Sequence, residues 1–445
     1  MKKYLLIILA LSIATHFAFF GHPNQTVFDE VHFGKFISGY YTHEYYFDIH
    51  PPLGKLMIAG FAKIFDFKPE FSFAQIGDKF PDNKYLALRF LPSLAGALLP
   101  VVIFLLALQL KFKPQGAFIA GLLVVFENAL LVQTHYILMD GFLLLFGFSA
   151  LLFYFKSRHS PFAIRYSLLM AVFGGLAASI KWTGLTFLAL PFFIEAFYLS
   201  RGILRMRRMP LLKLWQLIFY FAVIPFVIYF SIFALHFSFL TKSGSGDAFM
   251  KPTFHRDNVV TKFFQLNAEM YRSNQRLTAT HPYGSSWYSW PLMTRPIFYW
   301  VSGDSRIYLL GNPVIWWAST VAIMLLLLQN LKFKIFNLKL NIAGILLGGY
   351  FLNLIPFIGI TRVMFLYHYL TGLIFAILIL VYLIEKQDGS TPFDKTQGKW
   401  LNTRKIFIGL TIASILAFIY FAPLTYGLSL SPKAYNARVW LPSWR

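Results

Sequence analysis

The chain of 445 residues contains no cysteine. That excludes disulfides, thiolate metal sites and cysteine nucleophiles, and leaves any loop outside a membrane to be held by packing alone. Charge is scarce as well, at 13% of residues, and acidic charge is scarcest, with 18 Asp and Glu against 40 Lys and Arg. No glycine-rich phosphate loop and no Ser-His-Asp arrangement is present. His32, His43 and His50 lack a tight ligand spacing such as HExxH, so no metal site is expected.

What the chain has in abundance is hydrocarbon: 57% of residues are hydrophobic, 19% aromatic, and mean hydropathy is +0.59. Many runs of about 20 apolar residues are long enough to cross a bilayer as helices. A transmembrane barrel would instead show short alternating segments. The formal charge of +22 could suggest nucleic acid, but the basic residues cluster in short loops between apolar runs, as membrane insertion requires. No nucleic-acid partner is therefore expected. The chain reads as an all-α integral membrane protein in contact with the lipid bilayer.

Met1 to Phe20 carries Lys2 and Lys3 ahead of an apolar core. It has no small-x-small cleavage pattern before Gly21, so it reads as an uncleaved first span. Further spans are expected at about 85–110, 115–132, 135–155, 162–180, 183–200, 214–239, 312–330, 341–358, 363–384 and 405–422. That gives about 11 in all. The loops assigned to the cytoplasmic side hold 20 of the 40 Lys and Arg, including the stretch 201–213, which reads RGILRMRRMPLLK. The short turns assigned outside hold one each, Lys181 and Arg362. The long loop 21–85 carries six basic and eight acidic residues, without bias. The N-terminus is therefore expected inside and the C-terminus outside. Within 21–85, the stretches 31–42 and 51–65 look like short interfacial helices, the second started by Pro51-Pro52. The organisation expected is an N-terminal membrane module over 1–239, an outer loop over 240–311 and a C-terminal four-helix module with an outer tail over 312–445. No internal repeat is visible, which argues against an inverted-repeat transporter.

This topology collects the unusual polar residues on one side. Asp29, Glu30, His50 and Lys55 lie in the first outer loop, and Arg89 near the outer start of the second span. Gln133, His135 and Asp140 lie around the next outer turn, and Lys181 and Trp182 at another. Arg362 lies in a third, and His281, Trp287 and Trp290 lie in the long loop. Ionisable residues in a membrane are costly and mark a site or pair with one another. Asp140, inside ILMDGFLLLF, needs a cation such as Arg89 or Lys181. Each residue also has an ordinary reading: solvated acids at 29–30, arginines reaching for head groups, an interfacial Lys-Trp anchor. As a set, carboxylates and fixed cations on one membrane face suit a transferase working on a lipid-linked phosphate. The cations stabilise a departing phosphate and a carboxylate takes a hydroxyl proton. The same physics permits a proton-coupled transporter.

At these residues the sequence resembles the protein O-mannosyltransferases of the GT-C superfamily. The matching segments are FDEVHF (28–33), FDIHPPLGKLMIA (47–59), LRFLPSLAGALLP (88–100), ENALLVQTHYILMD (127–140), SIKWTGL (179–185), HPYGSSWYSWPL (281–292), RVMFLYHYL (362–370) and WLPSW (440–444). They run in order along nearly the whole chain. The resemblance implies a GT-C fold of about eleven transmembrane helices. It implies an inverting transfer of mannose from a polyprenyl-phosphate donor to Ser or Thr of secreted or membrane proteins, with the site on the extracytoplasmic side of the plasma membrane. It makes Asp29 the base, with Glu30 beside it in catalysis. Arg89, Asp140, Lys181, Arg362 and His50 fall to the donor, and His281 and Trp287 to the acceptor. No cofactor or divalent metal is expected, since protein cations can carry the phosphate charge. Two departures stand out. The loop after residue 239 has no room for the folded MIR domain that eukaryotic members insert, and position 135 is histidine where an arginine-like residue is expected. The alternatives are another polyprenyl-linked sugar, a lipid or glycan acceptor, or a flippase.

Overall fold

The computed structural model describes residues 1–200, 214–276, 280–332, 341–360, 362–386 and 403–445. The basic stretch 201–213 and Lys334, Lys339, Lys395 and Lys399, on which part of the orientation argument rests, lie outside the described residues. The membrane half is built from α1 (Lys2–Phe17), α4 (Tyr85–Gln109), α5 (Pro114–Val125), α6 (Asn128–His135), α7 (Asp140–Ser157), α8 (Ala163–Ala178) and α9 (Thr186–Ser200). It continues with α10 (Leu214–Ile218) and α11 (Ile224–Phe239), joined through a π-helical turn, and with α13 (Pro313–Lys332), α14 (Ile342–Leu352), α15 (Leu370–Lys386) and α16 (Thr403–Tyr426). The loops at one end add α2 (Glu30–Thr42), α3 (Leu53–Ile64), α12 (Val259–Arg276), α17 (Pro432–Asn436) and an antiparallel hairpin of β1 (Ile297–Ser302) and β2 (Ser305–Leu309).

Each of the eleven expected apolar segments falls on a helix. Among the described residues seven are long and apolar enough to cross a membrane, or eight when the bent pair α5–α6 is taken as one span. Backbone polar groups in hydrocarbon must be satisfied internally, which is why the spans are helical. The innermost spans are α15 and α7, whose apolar windows are 83% and 78% buried; α10–α11, at 22%, offers most of its surface to lipid. Apolar burial alone does not drive helices together in lipid, so close packing at small residues matters. A Cβ at Gly147 would stand 2.1 Å from the ring of Phe187, and one at Gly349 2.2 Å from that of Phe375.

The predicted turn between the third and fourth spans is displaced. Helix α5 stops at Val125, bends by 57° and resumes as α6, and the chain is then extended at Tyr136 before α7 starts at Asp140. The cause is Glu127, which is fully buried and caps α6 by accepting the amide of Ala129 at 3.1 Å. It also accepts the amide of Asn312, at the head of α13, at 3.0 Å. One carboxylate therefore serves two helix starts, where four backbone donors each lack partners. A break at this depth is tolerated because it is buried in protein.

The described residues of the loop 240–311 are structured rather than bare. Its hairpin packs on α6 and α16 and seats the first loop, Trp300 Nε1 donating to Gln25 Oε1 at 2.8 Å. The C-terminal WLPSW segment closes over it. Trp440 and Trp444 sit against Trp317 and Phe421, and Arg295 donates to the carbonyls of Ser443 and Arg445 at 2.7 and 3.0 Å. Tryptophans in this position suit a membrane–water boundary.

Candidate active site

Asp29 and Glu30 are adjacent in sequence but opposite in role. Glu30 opens α2 and turns inward, with no exposure to solvent. Its carboxylate accepts Val27 N–H at 2.8 Å, Ile137 N–H at 3.0 Å and a two-pronged pair from Arg89, Nε and Nη2 both at 2.7 Å. Arg89, equally buried, spends its remaining donors on the carbonyls of Gly21, Pro23 and Gln25, at 3.3, 2.7 and 2.7 Å. Rings of Tyr85, Tyr136 and Phe80 lie 5.0 to 5.4 Å from its guanidinium carbon. All five guanidinium donors are committed. Arg89, expected on the donor side, and Glu30, expected in catalysis, bond here to each other and to backbone groups. The pair is a buried clasp that ties the first loop to α4 and to the chain between α6 and α7.

The clasp sets where Asp29 points. Successive residues at a helix start diverge by about 100°, so with Glu30 turned in, Asp29 faces the other way. It is half-buried, and its carboxylate makes no hydrogen bond among the described residues. Phe28 before it holds a left-handed backbone, φ +46°, which costs a non-glycine residue about 1–2 kcal/mol. Burial pushes the Asp29 carboxyl up to about 7; Lys181 pulls against this, while Asp140 and Asp48 add to it.

A cavity with about 790 Å³ of unfilled space, open mouth included, is lined by His50, Asp140, Lys181 and Arg362 among others; Asp29 is not in its lining but is near enough for the charges of Lys181 and Asp140 to act on it. Four of the five residues expected at the donor therefore converge. Lys181 pairs with Asp140, at 2.8 Å to Oδ1 and 2.9 Å to Oδ2, and Gln133 Nε2 donates to Oδ2 at 2.6 Å. The partner demanded by Asp140 is Lys181, not Arg89. Arg362 has no carboxylate partner among the described residues, and its Nε is buried without a hydrogen bond. Burial lowers its pKa and nearby Tyr367 opposes that, but a guanidinium stays charged. His50 is held neutral by burial, reinforced by Lys181, Arg362 and Lys55. Its position follows from the motif around it. Buried Lys55 donates to the carbonyls of His50 and Pro51, at 3.0 and 3.2 Å, and pairs with Asp48, which also accepts the His50 amide.

Among the lining residues that sequence reasoning missed are Asn274, Asn353, Tyr367 and His368. Tyr367 lies under the Lys181 ammonium, 5.2 Å from ring centre to Nζ, and His368 stacks on Tyr367 and Trp290. The signal for the last two was present in RVMFLYHYL, a polar interruption of an apolar run. Asn274 sits on α12, in a stretch expected to be loop.

A second, wider groove opens on the same face and shares Ile360 and Arg362 with the cavity. His281 lines it, edge-on to Phe365 at 5.1 Å, together with Ser285, Ser286, Tyr288 and Arg295. Trp287 lines neither space, although its neighbours on both sides line the groove. In a short 3₁₀ helix consecutive side chains diverge by about 120°.

The sequence matches two family descriptions in succession. Residues 6–241 match "Dolichyl-phosphate-mannose-protein mannosyltransferase" and residues 259–444 match "C-terminal four TMM region of protein-O-mannosyltransferase". Curated relatives include dolichyl-phosphate-mannose–protein mannosyltransferase 4 of Candida albicans, 34% identical over 267 residues, covering 56% of this chain and 35% of the relative. Protein O-mannosyltransferase 1 of Drosophila melanogaster is 33% identical over 253 residues, covering 55% and 28%. The chain thus spans about a third of the length of the curated relatives it matches. Among solved structures, the Saccharomyces cerevisiae protein O-mannosyltransferase Pmt1-Pmt2 complex bound to the sugar donor superposes with a TM-score of 0.89 at 18% identity, covering 100% of this chain and 92% of that one. ArnT from Cupriavidus metallidurans bound to undecaprenyl phosphate follows at 0.58 and 12%, covering 96% and 77%. These likenesses establish the GT-C fold.

Proposed function

This chain belongs to the protein O-mannosyltransferase family, and on that premise we propose that it transfers mannose from a polyprenyl-phosphate-mannose donor to Ser or Thr hydroxyls of polypeptides. The site would face the extracytoplasmic side of the plasma membrane, with the N-terminus in the cytoplasm and the C-terminus outside. The observation that carries this reading is the unpaired Arg362 guanidinium sharing a cavity with the Asp140–Lys181 pair, next to an unbonded Asp29 carboxylate.

Arg362 and Lys181 hold the donor phosphate, and His50 accompanies them as a neutral imidazole. Leu143, Leu144 and Phe357 on the same wall suit the start of the lipid chain. The acceptor lies along the neighbouring groove, past His281. Its hydroxyl oxygen bonds to the anomeric carbon as the bond from that carbon to the phosphate oxygen breaks. The proton goes to Asp29 and the bonding electrons leave with the phosphate. One displacement inverts the centre, so a β-linked donor yields an α-mannoside. The charge developing on the leaving oxygen meets fixed cations that need no reorganisation, a large term in such sites. No divalent metal is required in this scheme.

The test is transfer by the purified full chain in detergent, read by mass spectrometry of a Ser/Thr peptide given polyprenyl-phosphate mannose, with EDTA present. One added hexose is expected, and Asp29→Asn should lower the rate by at least about 100-fold, the scale of general-base catalysis, while leaving the protein monodisperse. Near-normal transfer by Asp29→Asn removes the base assignment. Transfer only from a different lipid-linked sugar, or lipid movement without a new glycosidic bond, replaces the function.

A further inference from the structure

The strand β1 departs from regular pairing at one residue. Phe298 pairs with Tyr308 and Trp300 with Ile307, so Tyr299 is the extra residue of a β-bulge, with no partner of its own across the hairpin. Bulges re-aim side chains and free backbone groups, and they recur next to active sites. Here the freed carbonyl of Tyr299 accepts the amide of Phe28 at 3.1 Å. Its ring lies flat on the ring of Phe28, centroids 4.1 Å apart and planes 7° apart. Its hydroxyl donates to Gln133 Oε1. Gln133 Nε2 in turn donates to Asp140, which holds Lys181. The side chain is wholly buried.

We infer that Tyr299 is a positioning residue that fixes Asp29 and the Asp140–Lys181 pair relative to each other, from a loop that belongs to neither. This deepens the transferase reading and rests on it. One end of the residue holds Phe28 in its left-handed conformation, and Phe28 is what aims Asp29. The other end anchors the oxygen of the Gln133 amide, whose nitrogen Asp140 takes, and so helps to fix where the Asp140 carboxylate holds the Lys181 ammonium. A stacked aromatic pair contributes about 0.5–1.5 kcal/mol beyond burial, comparable with the cost of the Phe28 backbone. The stack is therefore of the right size to hold that conformation.

The two ends can be separated by substitution. Tyr299→Phe keeps the stack and the carbonyl but removes the hydroxyl, leaving Gln133 anchored through Asp140 alone. Donor KM should rise about fivefold to tenfold, with kcat within about twofold and the pH profile unchanged. Tyr299→Leu removes the stack as well. It should lower kcat more than about tenfold and move the acid limb of the rate to lower pH, as Asp29 gains water. The groups facing Asp29 are Asp48, Asp140, Lys181, Tyr299 and Tyr367, none of which Tyr299→Leu gives a new charge. Phe298→Ala is the control. Phe298 packs on Tyr283 and Tyr308, so this variant loosens the hairpin without touching Phe28 or Gln133.

All variants are assayed as the purified full chain with polyprenyl-phosphate mannose and a Ser/Thr peptide. An unchanged donor KM in Tyr299→Phe overturns the inference. So does a shifted acid limb in Phe298→Ala that matches Tyr299→Leu. Should Tyr299→Leu not fold, Tyr299→Phe alone decides through its donor KM. If the wild-type chain forms no mannosyl bond, the transferase reading falls whatever Tyr299 does; if Asp29→Asn retains transfer, only the base assignment falls. If Asp29→Asn loses transfer and the Tyr299 variants match wild type, only the coupling falls.

Discussion

Asp140 meets the Lys181 ammonium with both carboxylate oxygens, at 2.8 and 2.9 Å, so this pair adds little net charge to the cavity it lines. The surplus charge is on Arg362, which has no carboxylate partner among the described residues. A partly buried cation with no carboxylate partner carries a desolvation cost that an anion at the site would offset. Binding and stability should therefore come apart at these residues.

Arg362→Gln should raise the donor KM by at least about tenfold, since a charge-assisted contact to phosphate is lost. It should leave the thermal midpoint unchanged or slightly higher, because no partner is orphaned. Kinetics against the lipid-linked donor and a melting curve of the same preparation check both halves. A fall in stability with unchanged donor KM would show that Arg362 is structural.

Arg89→Met should behave in the opposite way. It leaves Glu30 buried without its cation, a loss of about 3–5 kcal/mol for breaking such a pair. The double variant Arg89→Met/Glu30→Gln should recover a good part of that, since the orphaned charge is gone. Denaturation in detergent measures this directly. A single variant as stable as wild type would show that the clasp is not what holds the first loop.

The rate of transfer should climb with pH through about 7, where the Asp29 carboxyl loses its proton and becomes able to accept another. Below that point the rate should fall about tenfold per pH unit. The residual activity of Asp140→Asn should show the limb at lower pH, because an anion that discouraged ionisation is gone. In Lys181→Met the limb should move higher, because a cation that favoured ionisation is gone. A limb that stays put in both variants would mean that another group titrates.

Asp140, Lys181 and Arg362 stand out in the sequence because an ionisable residue in or beside an apolar run is conspicuous and loop charge sorts them onto one face, whereas Asp29, in a loop of eight acidic residues, stands out only through the family resemblance. At Arg89 the signal for a clasp and for a ligand contact is the same: one arginine near a span end. Only its 59-residue separation from Glu30, closed in space, tells them apart. The sequence reading missed the hairpin even though Gly303-Asp304 between two runs rich in aromatic and β-branched residues is a turn signal, with Gly303 at φ +55°. The apolar setting hid it. The bend at Glu127 was illegible for another reason. Its cause is the amide of Asn312, 185 residues on, which no local pattern contains.

The hydrogen bonds running from Tyr299 through Gln133 to Asp140 have a direction. A carboxylate held by an ammonium can only accept, so the amide must offer it the nitrogen end and keep the oxygen end for the phenol. The phenolic proton is thereby committed, and Tyr299 cannot lend it to a reacting group. The same polarity governs position 133, where a glutamate would set one anion against another. That wire admits an amide and little else.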